Sequence, residues 1–498
     1  MSGQIGTPTE ELIGTIIGYA ISFGLFFGLQ LLALAIIPRR RAPAAAQTWL
    51  LLVFFQPLLG WLLYLLIGNP KLSRRRRGLQ RQADTLIAER LQVAQQRSDL
   101  HALLAPPIAP SQAGLIRLNQ RASGFPAFAG NDVEFLSDYD SAIQRIAAEI
   151  DRAERYVHME YYALVMDDAT ECVFAAMERA AARGVKVRLL SDHLGSRGYP
   201  RGKEMQRRLA AAGVEYHRVL PVSFFDREFS RADLRNHRKI VVVDGQVGFT
   251  GSQNMVTKTY HRKDKLYYEE LVARVSGPIV VQLAAVFATD WYSETGVVLD
   301  GPRFPELAVA VERAGDVLAQ VLPSGPGYDG ENNWKLFVAL VHEARRKVVI
   351  TTPYFVPDEA LLSAIVIAAQ RGVDVTLIVS GIADQFLISR CQRSYYEELL
   401  EAGVQIRLFN PPVLLHSKNM SIDDNICVIG SSNMDIRSFA LNLEVTLVIY
   451  DRAVVRQLRA IETTYLARST PVDWEAWQRR PWSQKLVQNT TRLFSAVL

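Results

Sequence analysis

Hydrophobic positions are unevenly distributed along the 498 residues. Leu12 to Ile37 carries no charged side chain. About 20 such residues, rising 1.5 Å each, already cross a ~30 Å hydrocarbon layer, so the run predicts a transmembrane helix. A second apolar run, Trp49 to Ile67, predicts another; Pro57 and Gly60 interrupt it, as membrane helices tolerate. A cleaved signal peptide fits the first run poorly, because no basic segment precedes it and a second span follows. From Leu79 to Leu104 the periodicity is helical with many polar residues, which reads as a surface helix. Ala105-Pro106-Pro107-Ile108-Ala109-Pro110 reads as a linker.

Beyond residue 115 strand and helix patterns alternate, and the order occurs twice. Ala181-Ala182-Arg183-Gly184-Val185-Lys186-Val187 recurs as Ala369-Gln370-Arg371-Gly372-Val373-Asp374-Val375, each a helix end, a glycine stop and a β-branched strand. Ala212-Gly213-Val214 and Ala402-Gly403-Val404 repeat the punctuation. Upstream, a helix predicted from Ser141 leads into a strand from Tyr156, and one predicted from Trp334 leads into a strand from Lys347. The pattern predicts an α/β fold in two similar halves, residues 115–300 and 301–498. They follow a membrane anchor (1–70) and a basic juxtamembrane helix and linker (71–114).

A net charge of +5 suits nucleic acid, anionic lipid or simple solubility equally, so its placement matters more. The tail before the first run has no Lys or Arg. The following loop has Arg39, Arg40 and Arg41, and the segment after the second run has Lys71 and Arg74 to Arg77. The heavier cluster predicts that both termini and everything after Gly68 are cytoplasmic. Cys172, Cys391 and Cys427 are too scattered for a disulfide framework or a zinc site and read as unpaired thiols. No glycine-rich nucleotide loop, paired acidic metal cluster or electron-carrier motif is found, which predicts a reaction with no metal and no cofactor.

Chemistry concentrates in two stretches. The first reads Asn236-His237-Arg238-Lys239-Ile240-Val241-Val242-Val243-Asp244, then Gly251-Ser252-Gln253-Asn254. The second reads His416-Ser417-Lys418-Asn419-Met420-Ser421-Ile422-Asp423, then Gly430-Ser431-Ser432-Asn433. Both are His-x-Lys-x4-Asp-x6-Gly-Ser-x-Asn, and strand alternation turns the His and Lys of one copy to the same side. A phosphodiester repels nucleophiles, so a metal-free site must supply cations and a nucleophile that leaves again. One neutral imidazole can attack phosphorus while a second, protonated, donates to the leaving alkoxide. His101, His158, His193, His217, His261 and His342 have no matched partners and read as structural or solvated.

The doubled motif resembles the signature of the phospholipase D superfamily over most of residues 115–498. Further stretches resemble the bacterial cardiolipin synthases within it. They are the two N-terminal runs, Leu322-Pro323-Ser324-Gly325-Pro326, Thr351-Thr352-Pro353-Tyr354-Phe355-Val356-Pro357 and Gly430-Ser431-Ser432-Asn433-Met434-Asp435-Ile436-Arg437-Ser438-Phe439. The resemblance implies a pseudo-twofold pair of α/β domains around one active site. It implies His237 as nucleophile and His416 as general acid and then base, a pairing the residues alone leave open to exchange. Lys239 and Lys418 would hold phosphate oxygens, with Asn254, Asn433, Ser252 and Ser431 in the same pocket. Glu270 and Glu444 would orient the histidines, and Asp244 and Asp423 belong to the motif either as catalytic residues or as braces of the fold.

The implied reaction joins two phosphatidylglycerols into cardiolipin and releases glycerol. The expected partners are phosphatidylglycerol, other anionic phospholipids and a bacterial inner membrane, without nucleic acid; the oligomeric state is not encoded. A membrane phospholipase D, a phosphatidylserine synthase, a superfamily nuclease and a catalytically dead scaffold are the competing functions. The predicted spans count against the nuclease, and the intact motifs against the scaffold. Two further stretches read either way. Phe224 to Phe229 is a membrane-dipping loop or core packing. The C-terminal helix with Trp482, Leu486, Leu493, Phe494 and Val497, beside Arg480, Lys485 and Arg492, is interfacial or packed on the domain.

Overall fold

The computed structural model describes residues 8–39, 43–68, 71–96, 100–222, 230–259, 266–299, 312–328, 331–383 and 385–493. Phe224 to Phe229, His261, Phe494 and Val497 lie outside the described residues. The chain divides into two compact units, Met1–Pro70 and Lys71–Ala496.

In the first unit, Pro8–Ile36 is one helix of 29 residues, and among the described residues it alone is long and apolar enough to cross a membrane. The predicted second run is not one straight helix. It consists of two helices, Pro43–Phe55 and Pro57–Ile67, of 13 and 11 residues. Proline has no N–H to donate and its ring crowds the preceding turn, so the helix breaks at Gln56. The arms then fold back on each other. Trp49 and Tyr64 meet edge to face at 5.5 Å, whereas 15 residues of straight helix would hold them about 22 Å apart. Gly60 makes the approach possible, since a Cβ there would lie 2.7 Å from the Val53 Cα. At ~1.5 Å per residue neither arm spans ~30 Å. Trp61 Nε1 donates to the Leu29 carbonyl (2.9 Å) and Gln30 to that of Phe54 (3.1 Å), tying the hairpin to the first helix.

The second unit is built on a long mixed sheet. At its middle Phe128–Leu136 and Val317–Ser324 run antiparallel. Outward on one side come Val272–Ser276, Val247–Gly251, Lys239–Val243, Tyr156–Tyr161, Lys186–Asp192 and Glu215–Val219. On the other come Asn442–Ile449, Ile426–Gly430, Asn419–Ile422, Lys347–Thr352, Asp374–Ser380 and Gln405–Phe409, with Ser469–Pro471 at the edge. The strand order of one side is thus repeated on the other. Three consecutive strands on each side, Tyr156–Tyr161 to Glu215–Val219 and Lys347–Thr352 to Gln405–Phe409, are parallel and need crossovers, which helices such as Glu171–Ala182 and Glu359–Gln370 supply. Gly184 and Gly372 follow those two helices at φ 89° and 86°, a left-handed turn that a side chain would strain.

The juxtamembrane segment also departs from expectation. Arg74–Gln95 is one helix, capped by Ser73, and is more than a surface helix. Arg76, Gln80 and Ala83 are buried, and Ile87 and Leu91 pack on the core beside the helix Ile279–Thr295. Its buried stripe begins with polar residues that are satisfied inside the protein: Arg76 pairs with Glu294 at 2.7 Å and also reaches Ser230. A polar stripe is indistinguishable from a solvent face until its partners are in place.

Candidate active site

Each motif histidine follows a short strand that pairs with the other half. Arg235–Asn236 runs parallel to Asn442–Leu443, and the His237 N–H donates to the Leu443 carbonyl at 2.8 Å. Val413–Leu415 runs parallel to Tyr267–Glu269, and the His416 N–H donates to the Glu269 carbonyl at 2.8 Å. Register therefore sets each imidazole beside the next carboxylate across the pairing. His237 Nδ1 lies 3.0 Å from Glu444, and His416 Nδ1 lies 2.7 Å from Glu270. Glu444 is fixed in turn by the Ser431 hydroxyl, and the Asn442 amide approaches at 3.3 Å.

A carboxylate on Nδ1 holds the ring proton there and leaves the Nε2 lone pair for chemistry. Burial lowers the His237 pKa to about 4, against the pull of Glu444, and Lys239 adds to the lowering. Burial likewise lowers His416, with Lys418 adding and Glu270 opposing. Burial lowers Lys239 to about 7, reinforced by like charge from Lys418. Burial alone would raise Glu444, but His237 and Lys239 hold it below the usual carboxylate range. The pocket thus has neutral imidazoles and crowded cations, which a bound anion would relieve. Each lysine turns back on its own motif: Lys239 and Lys418 donate to the carbonyls of His237 and His416, both at 2.7 Å.

The remaining motif residues separate by task. Asn254 Oδ1 accepts from the Ala163 N–H at 3.4 Å, leaving its NH2 to donate elsewhere. Asn433 Oδ1 is buried with no hydrogen-bond partner among the described residues. Ser252 is committed to the backbone of Leu271, whose N–H it accepts at 2.9 Å, so it braces the strand leading from Glu270. Asp244 and Asp423 stand apart from the histidines, at the far end of their strands. Asp244 accepts from the N–H groups of Glu154, Arg155 and Tyr156 (2.7–2.9 Å), and Asp423 from those of Arg345, Arg346 and Lys347 (2.8–3.1 Å). Both have positive φ, in turns they hold by their side chains. This is the geometry of a brace, one of the two readings open for these aspartates: seven residues of strand, at about 3.3 Å each, separate them from the histidines.

Several residues at the site escaped the sequence reading. The Tyr162 ring lies 5.1 Å from that of His237, and Tyr268 and Tyr354 lie 5.5 and 6.4 Å from His416. Arg238, between His237 and Lys239, points to the opposite face of the strand. There it pairs with Asp290 and donates to the Glu444 carbonyl at 3.0 Å. Strand alternation and a charged residue inside an apolar strand were the available signals. Elsewhere, His158 stacks on Phe287 at 4.4 Å and His217 meets Trp291 edge-on at 5.0 Å, as structural histidines do. Around the helix Trp482–Arg492, Arg480 and Arg492 pair with Glu397 and Glu398, while Trp482, Leu486 and Leu493 are exposed.

Comparison with known proteins follows the same division of the chain. Residues 146–291 and 337–463 match the family described as cardiolipin synthase, PLD-like domain, and residues 28–69 match phospholipase D-nuclease N-terminal. Over 486 residues the chain is 33% identical to cardiolipin synthase A of Pectobacterium carotovorum subsp. carotovorum (strain PC1), covering 97% of this chain and 99% of that protein. The chain belongs to the cardiolipin synthase family. Cardiolipin synthase A of Proteus mirabilis (strain HI4320) is also 33% identical, over 93% of this chain and 95% of that one. Among solved structures, phosphatidylserine synthase of Haemophilus influenzae Rd KW20 has a TM-score of 0.60 at 16% identity, covering 78% of this chain and 100% of that one, a likeness of fold. Family membership makes this chain a phosphatidyltransferase.

Proposed function

We propose that this protein is a cardiolipin synthase that joins two phosphatidylglycerol molecules and releases glycerol, its two halves forming a pseudo-twofold pair around one active site. The observation that carries the reading is the reciprocal hold on the imidazoles, each anchored at Nδ1 by a carboxylate of the other half. His237 Nε2 attacks the donor phosphorus. The bond from phosphorus to the glycerol oxygen breaks, and His416, protonated once the anionic diester is bound, gives that oxygen its proton. His416 then takes the proton of the acceptor lipid hydroxyl, whose oxygen attacks phosphorus as the bond to His237 breaks. Lys239 and Lys418 turn from their carbonyls to the phosphate oxygens, with Asn254 and Asn433 donating beside them.

We place the catalytic portion on the cytoplasmic face of a bacterial inner membrane, following Lys71 and Arg74 to Arg77. A hairpin that returns to the side it entered from leaves a single crossing, by the first helix. The tail before Pro8 then lies outside. A cysteine introduced there is expected to react with an impermeant maleimide in intact cells, and protection until lysis would restore the two-span topology.

The function is tested with detergent-purified protein given phosphatidylglycerol in the presence of a chelator. Cardiolipin and glycerol are expected in equal amounts. Dominant phosphatidic acid would make the protein a hydrolase. Reaction only with serine and a nucleotide-activated phosphatidyl donor would make it a phosphatidylserine synthase.

A further inference from the structure

A second basic pocket opens beside the catalytic one. It has a volume of about 910 Å³ and lies between the loop after strand Lys186–Asp192 and the start of helix Gly202–Ala211. Five cations line it, Arg197, Arg201, Lys203, Arg207 and Arg218, against one carboxylate, Glu204. Glu204 is bound to Arg201 at 3.0 Å, and the other four cations have no carboxylate partner among the described residues. Such an excess of one sign in a concave surface attracts and holds an anion. Leu164, Val165, Met166 and Met205 add an apolar wall, so the pocket presents charge and hydrocarbon together. His193, also on the wall, has its pKa lowered by burial and next by Arg218, in keeping with a surplus of positive charge.

Hydrogen bonds tie the wall of this pocket to the segments that carry the catalytic residues. Ser196 lines it, accepts from the Leu164 N–H at 3.1 Å and donates to the Tyr162 carbonyl at 3.2 Å, and the Tyr162 ring is the one that meets His237. On the other flank, Asp192 adjoins His193 and accepts from the Asn236 N–H at 2.9 Å, one residue before His237.

We infer that this pocket binds the phosphate of the acceptor phospholipid, with Arg197 and Arg218 as its principal ligands. The inference rests on the synthase reading. When the acceptor's terminal hydroxyl sits at the reacting phosphorus, its own phosphate lies one glycerol away. The His-Lys motifs already hold the donor's phosphate, so the second anion needs cations outside them. The pocket would thus select a lipid alcohol that carries a phosphate over water or a neutral alcohol.

The test compares two reactions of the full-length protein in mixed micelles: cardiolipin formation from phosphatidylglycerol, and exchange of radiolabelled glycerol into phosphatidylglycerol. Both use the same donor step, but only the first has a phosphate-bearing acceptor. In Arg197→Gln/Arg218→Gln the ratio of cardiolipin formed to glycerol exchanged is expected to fall about tenfold, as two charge-assisted contacts are lost. Arg197→Lys/Arg218→Lys should recover much of it. An unchanged ratio overturns the inference, and if both reactions have fallen equally the pocket belongs to the donor or to the fold. Absence of both reactions in the wild type would instead overturn the synthase reading itself.

Discussion

His237→Ala is expected to lower cardiolipin formation by about 10⁴-fold or more, and His416→Ala by about 10²–10⁴-fold, the usual spans for losing a nucleophile and a general acid–base group. A phosphatidyl ester of p-nitrophenol separates the two roles, because nitrophenolate departs without being protonated. His416→Ala should then release one equivalent of nitrophenolate per enzyme and stall, since the phosphohistidine forms but no base activates the acceptor. His237→Ala should release none. The opposite pattern would exchange the roles, a possibility the near-symmetric surroundings of the two rings leave to experiment. The stalled protein should carry label that is lost in acid and kept in base, as a phosphorus–nitrogen bond is.

Arg238→Ala is expected to cost about 3–5 kcal/mol of stability, the range for removing one partner of a buried ion pair. Arg238 is almost wholly buried. Besides Asp290 and the Glu444 carbonyl it reaches the Ser324 carbonyl at 3.4 Å and lies 6.0 Å from the Tyr328 ring. Its loss strands Asp290 and neighbouring Glu160, whose pKa burial, and next Asp290, already raise well above the usual range while Arg238 restrains it. With the cation gone the folded-state pKa of Glu160 rises further above its unfolded value. The penalty is then small at pH 4 and grows as pH rises through the unfolded value, where the unfolded chain ionises freely and the fold cannot. Urea unfolding at pH 5 and pH 8, followed by tryptophan fluorescence, should show the larger shift in midpoint at pH 8. Equal shifts would argue that lost packing, not charge, is the cause.

The sequence disclosed what repeats and what is locally spaced. Glycine stops such as Gly184 and Gly372, the matched motifs and the α/β alternation are all short-range patterns, and the strand order bears the repetition out. It did not disclose which carboxylate meets which histidine. Glu444 is 207 positions from His237, and Glu270 is 146 from His416, so only the strand pairings across the halves decide the match. Pro57 and Gly60 were visible, but whether they bend a span or fold it in two depends on the approach of Val53, a tertiary fact. Arg76 read as one of a cluster of juxtamembrane charges, and only its partners Glu294 and Ser230, distant in sequence, account for its burial.

The crossed carboxylates make the two copies of the repeat mutually dependent. Neither half carries a complete histidine–carboxylate pair, so a lesion in one appears as a defect of the imidazole in the other. An isolated half would have its motif His and Lys without the residue that orients them. The two copies can therefore no longer drift apart as separate enzymes, and damage at Glu444 cannot be compensated from within its own half.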